Sequence, residues 1–358
     1  MSYRPAAHGG YSRISRFWRF AKRRARTHLP ERAAAAVAYF AAGTYLLSWP
    51  VAEAVAFGFH EVAFVPVLTA AFFERMDAGK PRAALCAAAG LLLVKEDMGL
   101  LVAGFGLWML VTRPRVPEGR MTAAAMIAGG IAATCLATLM LRPAFDGSAM
   151  YYWRYGALGS NVPQAALHVV SYPVATARLL VTSHVKLATM AWLTGSLLFL
   201  PLFSPITLAA APLLAERMLA SSAPDWWGLP FQYNAFIVVV LVCAAVDGAL
   251  RLGGWFARLH GQWVGGRWRG RGGGRPQARS HAGVWLAGIF CGAAVALVPS
   301  FPLGAALHPG FYRRTPGERA AGAAVAAVPS GVTVEATNTI GPQLSARDAV
   351  LLWDRTPR

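Results

Sequence analysis

An all-α polytopic membrane protein is the fold class this sequence predicts, and three observations predict it. Hydrophobic residues make up 56% of the 358-residue chain and charged residues only 14%, where an ordinary soluble domain carries about a quarter charged residues. The apolar residues also recur in blocks. One of them, residues 283–304 (GVWLAGIFCGAAVALVPSFPLG), holds no charge and is long enough to cross the roughly 30 Å of bilayer hydrocarbon. Thirdly, nearly all the charge lies in the connectors between blocks. A buried helix of a large soluble protein would explain one such block, but not the set.

The formal net charge of +18 raises nucleic acid as a partner, and the placement of the charge argues against it. Nine Lys/Arg precede Ala33, against the single acid Glu31, and seven Arg with no acid fall within residues 251–281. Basic flanks beside apolar spans are what the positive-inside rule describes, and they suit anionic lipid headgroups. Membrane lipids are therefore the expected partners. Cys86, Cys135, Cys243 and Cys291 each sit inside an apolar run without CxxC or ligand spacing, as small buried thiols do.

Along the chain, the basic arm YSRISRFWRFAKRRARTH predicts a short amphipathic helix on the inner leaflet, with Phe17, Trp18 and Phe20 reaching into lipid. Apolar segments follow over residues 33–49, 62–73, 83–94, 98–111, 122–141, 185–200, 206–214, 235–249 and 283–304, nine in all. The halves at 83–94 and 98–111 are either two short helices or one helix carrying Lys95, Glu96 and Asp97 within it. Residues 142–184 read as the longest polar region before the tail, and 216–230 as a loop. The organisation is a basic cytosolic arm over 1–32, a multi-helix membrane domain over 33–250, a Gly/Arg-rich cytosolic linker over 251–282, a transmembrane helix over 283–304 and a partial extracytoplasmic segment over 305–358. In the last, VTVEATN alternates like a strand and VLLW follows a polar stretch, which predicts a small α/β-like fragment. Counting spans by parity puts the N-terminus in the cytosol and the C-terminus outside the cell membrane.

Charge in apolar surroundings is expensive and needs a reason. His60 and Glu61 stand in FGFHE between two apolar stretches; Lys95, Glu96 and Asp97 stand in VKEDMG. A third group is Arg154 with Tyr151, Tyr152 and Tyr155, and Lys186 is a fourth candidate. A carboxylate beside a cation can activate a hydroxyl nucleophile or hold a divalent metal, while the cation grips a phosphate. Glu61, Asp97 and Lys95 are accordingly the candidate catalytic residues, and His60, Glu96, Arg154 and Tyr155 the candidate substrate contacts. Ion pairing between packed helices explains the same charges without chemistry. The sequence holds no Walker A, HExxH or nucleophile elbow, and no second histidine at metal-ligand spacing from His60.

Several stretches, in order, resemble the DUF2079 family of predicted bacterial membrane proteins: FGFHEVAFVPVL, LLLVKEDMGLLVAGFGLWML, YYWRYGALG, SPITLAAAPLLAERML and VEATNTIGPQLSARDAV. That family is similar to the GT-C class of membrane glycosyltransferases. The resemblance implies a GT-C-like helical bundle and a polyprenyl-phosphate-linked sugar as donor substrate. It also implies further N-terminal helices with an aspartate-bearing outer loop, where a basic arm stands here. The expectation is a transferase-like protein that is truncated or inactive unless a membrane protein partner supplies the missing segments. A non-catalytic membrane scaffold and a transporter are the competing readings.

Overall fold

The computed structural model describes residues 14–112, 117–146, 153–265, 282–337 and 339–353. It is helical almost throughout and divides into two units, residues 1–303 and 304–358.

The first unit opens with α1 (Ile14–Arg26), α2 (Glu31–Leu47) and α3 (Trp49–Phe57). A proline directly after an apolar stretch such as residues 33–49 is expected to end its helix. Instead Pro50 lies in the first turn of α3, where its missing N–H costs nothing, and extended Ser48 sets a 41° bend between α2 and α3. A 3-10 turn (Glu61–Phe64) leads into α4 (Val65–Asp77), followed by α5 (Pro81–Leu91) and α6 (Met98–Thr112). Prolines start α4 and α5 in the same way.

Next come α7 (Pro117–Leu136), extended by a π-helical turn, and α8 (Arg142–Asp146). Residues 153–161 form a loop before α9 (Val162–Ser171) and α10 (Pro173–Leu179), so much of the region read as polar loop is two short helices. Asn161 caps α9 by accepting from the Gln164 N–H. Then follow α11 (His184–Gly195), two 3-10 turns (Leu200–Phe203 and Pro205–Ala209), α12 (Ala211–Leu219), α13 (Pro224–Trp227), α14 (Ala235–Gly265) and α15 (Ala282–Leu297).

The nine apolar runs are all helical, but few reach spanning length. Among the described residues three helices are long and apolar enough to cross, at Glu118–Phe145, Gln232–Phe256 and Ala282–Ser300, with the bent α2–α3 pair as a fourth. The 15 residues of α6 rise only about 22 Å, short of the hydrocarbon thickness. The linker expected from residue 251 is corrected as well. α14 continues for 31 residues to Gly265, and residues 266–281 lie outside the described residues.

α14 is the centre of the bundle. Its residues Phe236 to Val246 are all buried, as an apolar helix packed on every side requires. Around it, Phe72 of α4 stacks on Phe105 of α6 at 4.0 Å between ring centres, and Phe20 of α1 lies 5.8 Å from Phe73. The arm helix is thus part of the bundle: Phe17 and Phe20 are buried against protein, where the sequence had assigned them to lipid. Its basic face finds protein acids too. Arg24 Nε lies 2.9 Å from Asp247 Oδ1 of α14, which also meets Arg251 at 2.6 Å and the Ser204 hydroxyl at 2.7 Å. Buried Glu74 pairs with Arg75 at 3.0 Å and lies within 4 Å of Arg19 and Arg23.

The second unit carries α16 (Pro316–Ala327), started by a Thr315–Glu318 capping box, then β1 (Thr333–Ala336), α17 (Gly341–Leu344) and β2 (Ala349–Leu352). The strands pair parallel, Thr333 opposite Ala349, with α17 in the crossover. Arg347 donates to the Val328 and Val325 carbonyls, and Asp348 accepts from the Gly331 and Val332 N–H groups.

Candidate functional site

The site grows from the break between α5 and α6. α5 unwinds through three successive tight turns at Leu92, Leu93 and Val94, and the chain then presents Lys95, Glu96 and Asp97 before α6 begins. The VKED segment is thus a connector, not the interior of one long helix. Asp97 precedes the first turn of α6, where a carboxylate suits the positive end of the helix dipole. Lys95 Nζ lies 3.3 Å from Asp97 Oδ2, and both side chains are largely buried. Asp97 Oδ1 is buried without a hydrogen-bond partner among the described residues.

The 153–161 loop brings Tyr155 to the same place. Trp153 Nε1 donates to the Gly159 carbonyl at 2.8 Å, closing the loop on itself, and its ring meets Tyr155 edge-on at 5.3 Å. The Ser221 N–H donates to the Arg154 carbonyl at 2.7 Å, tying the loop to the end of α12. There the Tyr155 hydroxyl donates to the Glu216 carboxylate. Arg154 itself turns its side chain to the exposed surface.

Glu216 is the residue that sequence reasoning missed. It follows the apolar run at 206–214, inside the stretch SPITLAAAPLLAERML, and read as the first residue of a loop, although it stands on α12. The signal available was an acid next to an arginine directly after a long uncharged stretch. Arg217 is 3% exposed. It donates to the Trp226 and Tyr233 carbonyls and, at 3.2 Å, to Asn234 Oδ1, pinning the following loop. Lys186 fastens its surroundings in a similar way. Its ammonium donates to the carbonyls of Leu179 at 2.8 Å, Ala220 at 3.1 Å and Met218, and lies 4.5 Å from the Trp227 ring centre.

The charges in this cluster sense one another. Burial, and then the negative Asp97, raise Glu216 to about 7. Burial raises Asp97 as well, with Glu96 adding to the rise and Lys95 opposing it. Burial works against the Lys95 charge, yet Asp97 and Glu96 hold that lysine above its ordinary value. Tyr155 is raised by burial and by Glu216. The result is an ion pair beside a carboxylic acid that exchanges its proton near neutrality.

His60 and Glu61 sit elsewhere in the contact pattern. The His60 ring packs 4.9 Å from Phe57, its Nδ1 is buried without a hydrogen-bond partner among the described residues, and Glu61 is exposed. No hydrogen bond or ion pair among the described residues joins either one to Lys95 or Asp97. Tyr151 and Tyr152 lie outside the described residues. Among the described residues no three His, Cys, Asp or Glu side chains converge as a metal site would need.

Fold and cluster together define a helical membrane protein with a charged, partly dry site at its helix ends. The chain belongs to the DUF2079 family of predicted membrane proteins, whose model matches residues 17–356. No curated protein and no solved structure gives a match.

Proposed function

We propose that the chain is a multi-pass cell-membrane protein that transfers a glycosyl group from a polyprenyl-phosphate donor, in the manner of GT-C enzymes. The observation that carries this reading is the meeting of the Lys95–Asp97 ion pair with the Tyr155–Glu216 pair at the ends of apolar helices. In the proposed step an acceptor hydroxyl oxygen attacks the anomeric carbon and the bond from that carbon to the phosphate oxygen breaks. The bonding pair leaves on the phosphate, whose charge Lys95 balances in a partly dry setting. The hydroxyl proton passes to Glu216, whose value near 7 suits a base working at neutral pH. Asp97 orients Lys95, Tyr155 orients Glu216, and Glu96 and Arg154 are proposed as outer substrate contacts.

The same reading sets the N-terminus and residues 266–281 in the cytosol and the site and C-terminal unit outside, with lipid as the surrounding partner. A membrane protein partner remains part of the proposal. The test is Lys95→Met in purified protein in nanodiscs, assayed for polyprenyl-phosphate binding. K95M should accumulate normally and lose binding by at least about tenfold, the equivalent of roughly 1.4 kcal/mol, while K95R retains it. Unchanged binding in well-folded K95M removes Lys95 from the site. Degradation of K95M alongside a stable K95R that binds no lipid phosphate makes Lys95 a structural ion-pair partner.

A further inference from the structure

α9 and α10 leave apolar side chains without protein against them. No residue of α9 is buried and α10 buries only Thr176. Leu167 is 68% exposed, Val170 79% and Val174 66%. The pair cannot hide these residues by crossing the membrane. Helices of 10 and 7 residues rise about 15 and 10 Å, and α2–α3 is the one bent pair among the described residues apolar enough to span. The charge pattern is also one-sided. No Asp or Glu occurs from residue 147 to 215, while Arg154, Arg178 and Lys186 do, and Arg178 is the one formal charge on α9–α10. A helix pair facing water would waste this apolar surface, and one facing an acidic surface would gain from the missing carboxylates.

We propose that α9–α10 is an interfacial membrane element. It lies in the plane of one bilayer surface, with Leu167, Val170 and Val174 among the upper acyl chains and Arg178 at anionic headgroups. Its root is fixed by Lys186, which joins the carbonyl of Leu179 at the end of α10 to those of Met218 and Ala220 at the end of α12. One buried cation therefore connects the lipid-lying pair to the helix that carries Glu216. The surface and its occupant hold whether or not the transferase reading does.

The test uses the full chain with its four cysteines replaced by alanine, in nanodiscs of phosphatidylethanolamine and phosphatidylglycerol. Nitroxide labels are placed singly at Leu167→Cys, Val170→Cys and Val174→Cys, with Glu318→Cys as the water-exposed reference. Collision with oxygen relative to a nickel chelate should place the three labels at one shallow depth, about 5–10 Å below the headgroups. In R178Q, or in discs of phosphatidylcholine alone, the labels should shift toward water. Three labels as accessible to nickel as the reference overturn the proposal. Labels shielded from both reagents overturn it too, and assign the face to a protein partner.

Discussion

At residue 216 a carboxyl group sits in surroundings that favour its neutral form, and stability should register this. Because folding raises Glu216 from 4.5 to about 7, the folded chain holds the proton more tightly than the unfolded chain. Stability from this group is thus greatest below about 4.5 and falls as the pH rises through 7, by on the order of 3 kcal/mol in all. Glu216→Gln keeps an acceptor for the Tyr155 hydroxyl and loses the titration. Thermal unfolding in detergent should show E216Q more stable than wild type above pH 7 and a flatter pH profile between 5 and 7; identical profiles would place the titration elsewhere. Lys186 gives the opposite kind of test. Lys186→Met strips three carbonyls, two of them in fully buried bonds, of a donor and should cost about 3 kcal/mol of stability. A melting temperature unchanged by K186M would contradict its structural role.

At the scale of elements, apolar periodicity was legible and element ends were not. Every apolar run carries helix because burying such runs leaves the backbone no other partner. Element ends depart from the apolar runs where a proline starts a helix, at Pro50 and Pro173, and where α14 continues through Gly253 and Gly254. Gly253 stays helical because it packs against Gly283 of α15, where a Cβ would come within 2.8 Å of the backbone nitrogen. The site was half legible for a related reason. Lys95, Asp97 and Tyr155 stand in conspicuous polar clusters, whereas Glu216 reaches them only through the tertiary path of α12. Close backbone approach also gives a sharp test. A Cβ on Gly248 of α14 would lie 2.1 Å from the Leu200 carbonyl oxygen, so Gly248→Ala must force α14 and the 200–203 turn apart. G248A should destabilise the bundle by about 2–3 kcal/mol, read as a lower melting temperature with earlier proteolysis; a wild-type melt would mean that this contact is looser.

Over the whole molecule, composition was enough to identify a membrane protein, while the arrangement of its parts had to come from packing. One consequence concerns sidedness. Between residues 266–281 and the C-terminal unit stands a single candidate span, α15. Topology reporters fused at Gly272 and at Arg358 should therefore report opposite faces of the membrane, the first cytosolic; signals from the same face would show that α15 does not cross.

The bridge from Arg24 to Asp247 joins residues 223 positions apart, and this distance is also a delay. At about 5–20 residues per second, a ribosome that has just released α1 needs roughly 10–45 s to produce the aspartate that α1 is to grip. α1 can settle on α2 and α4 well before then, with Asp77 already available 3.4 Å from the same guanidinium. α1 thus packs on α2 and α4 early, and gains its ion pair with α14 only once the chain has been made as far as Asp247.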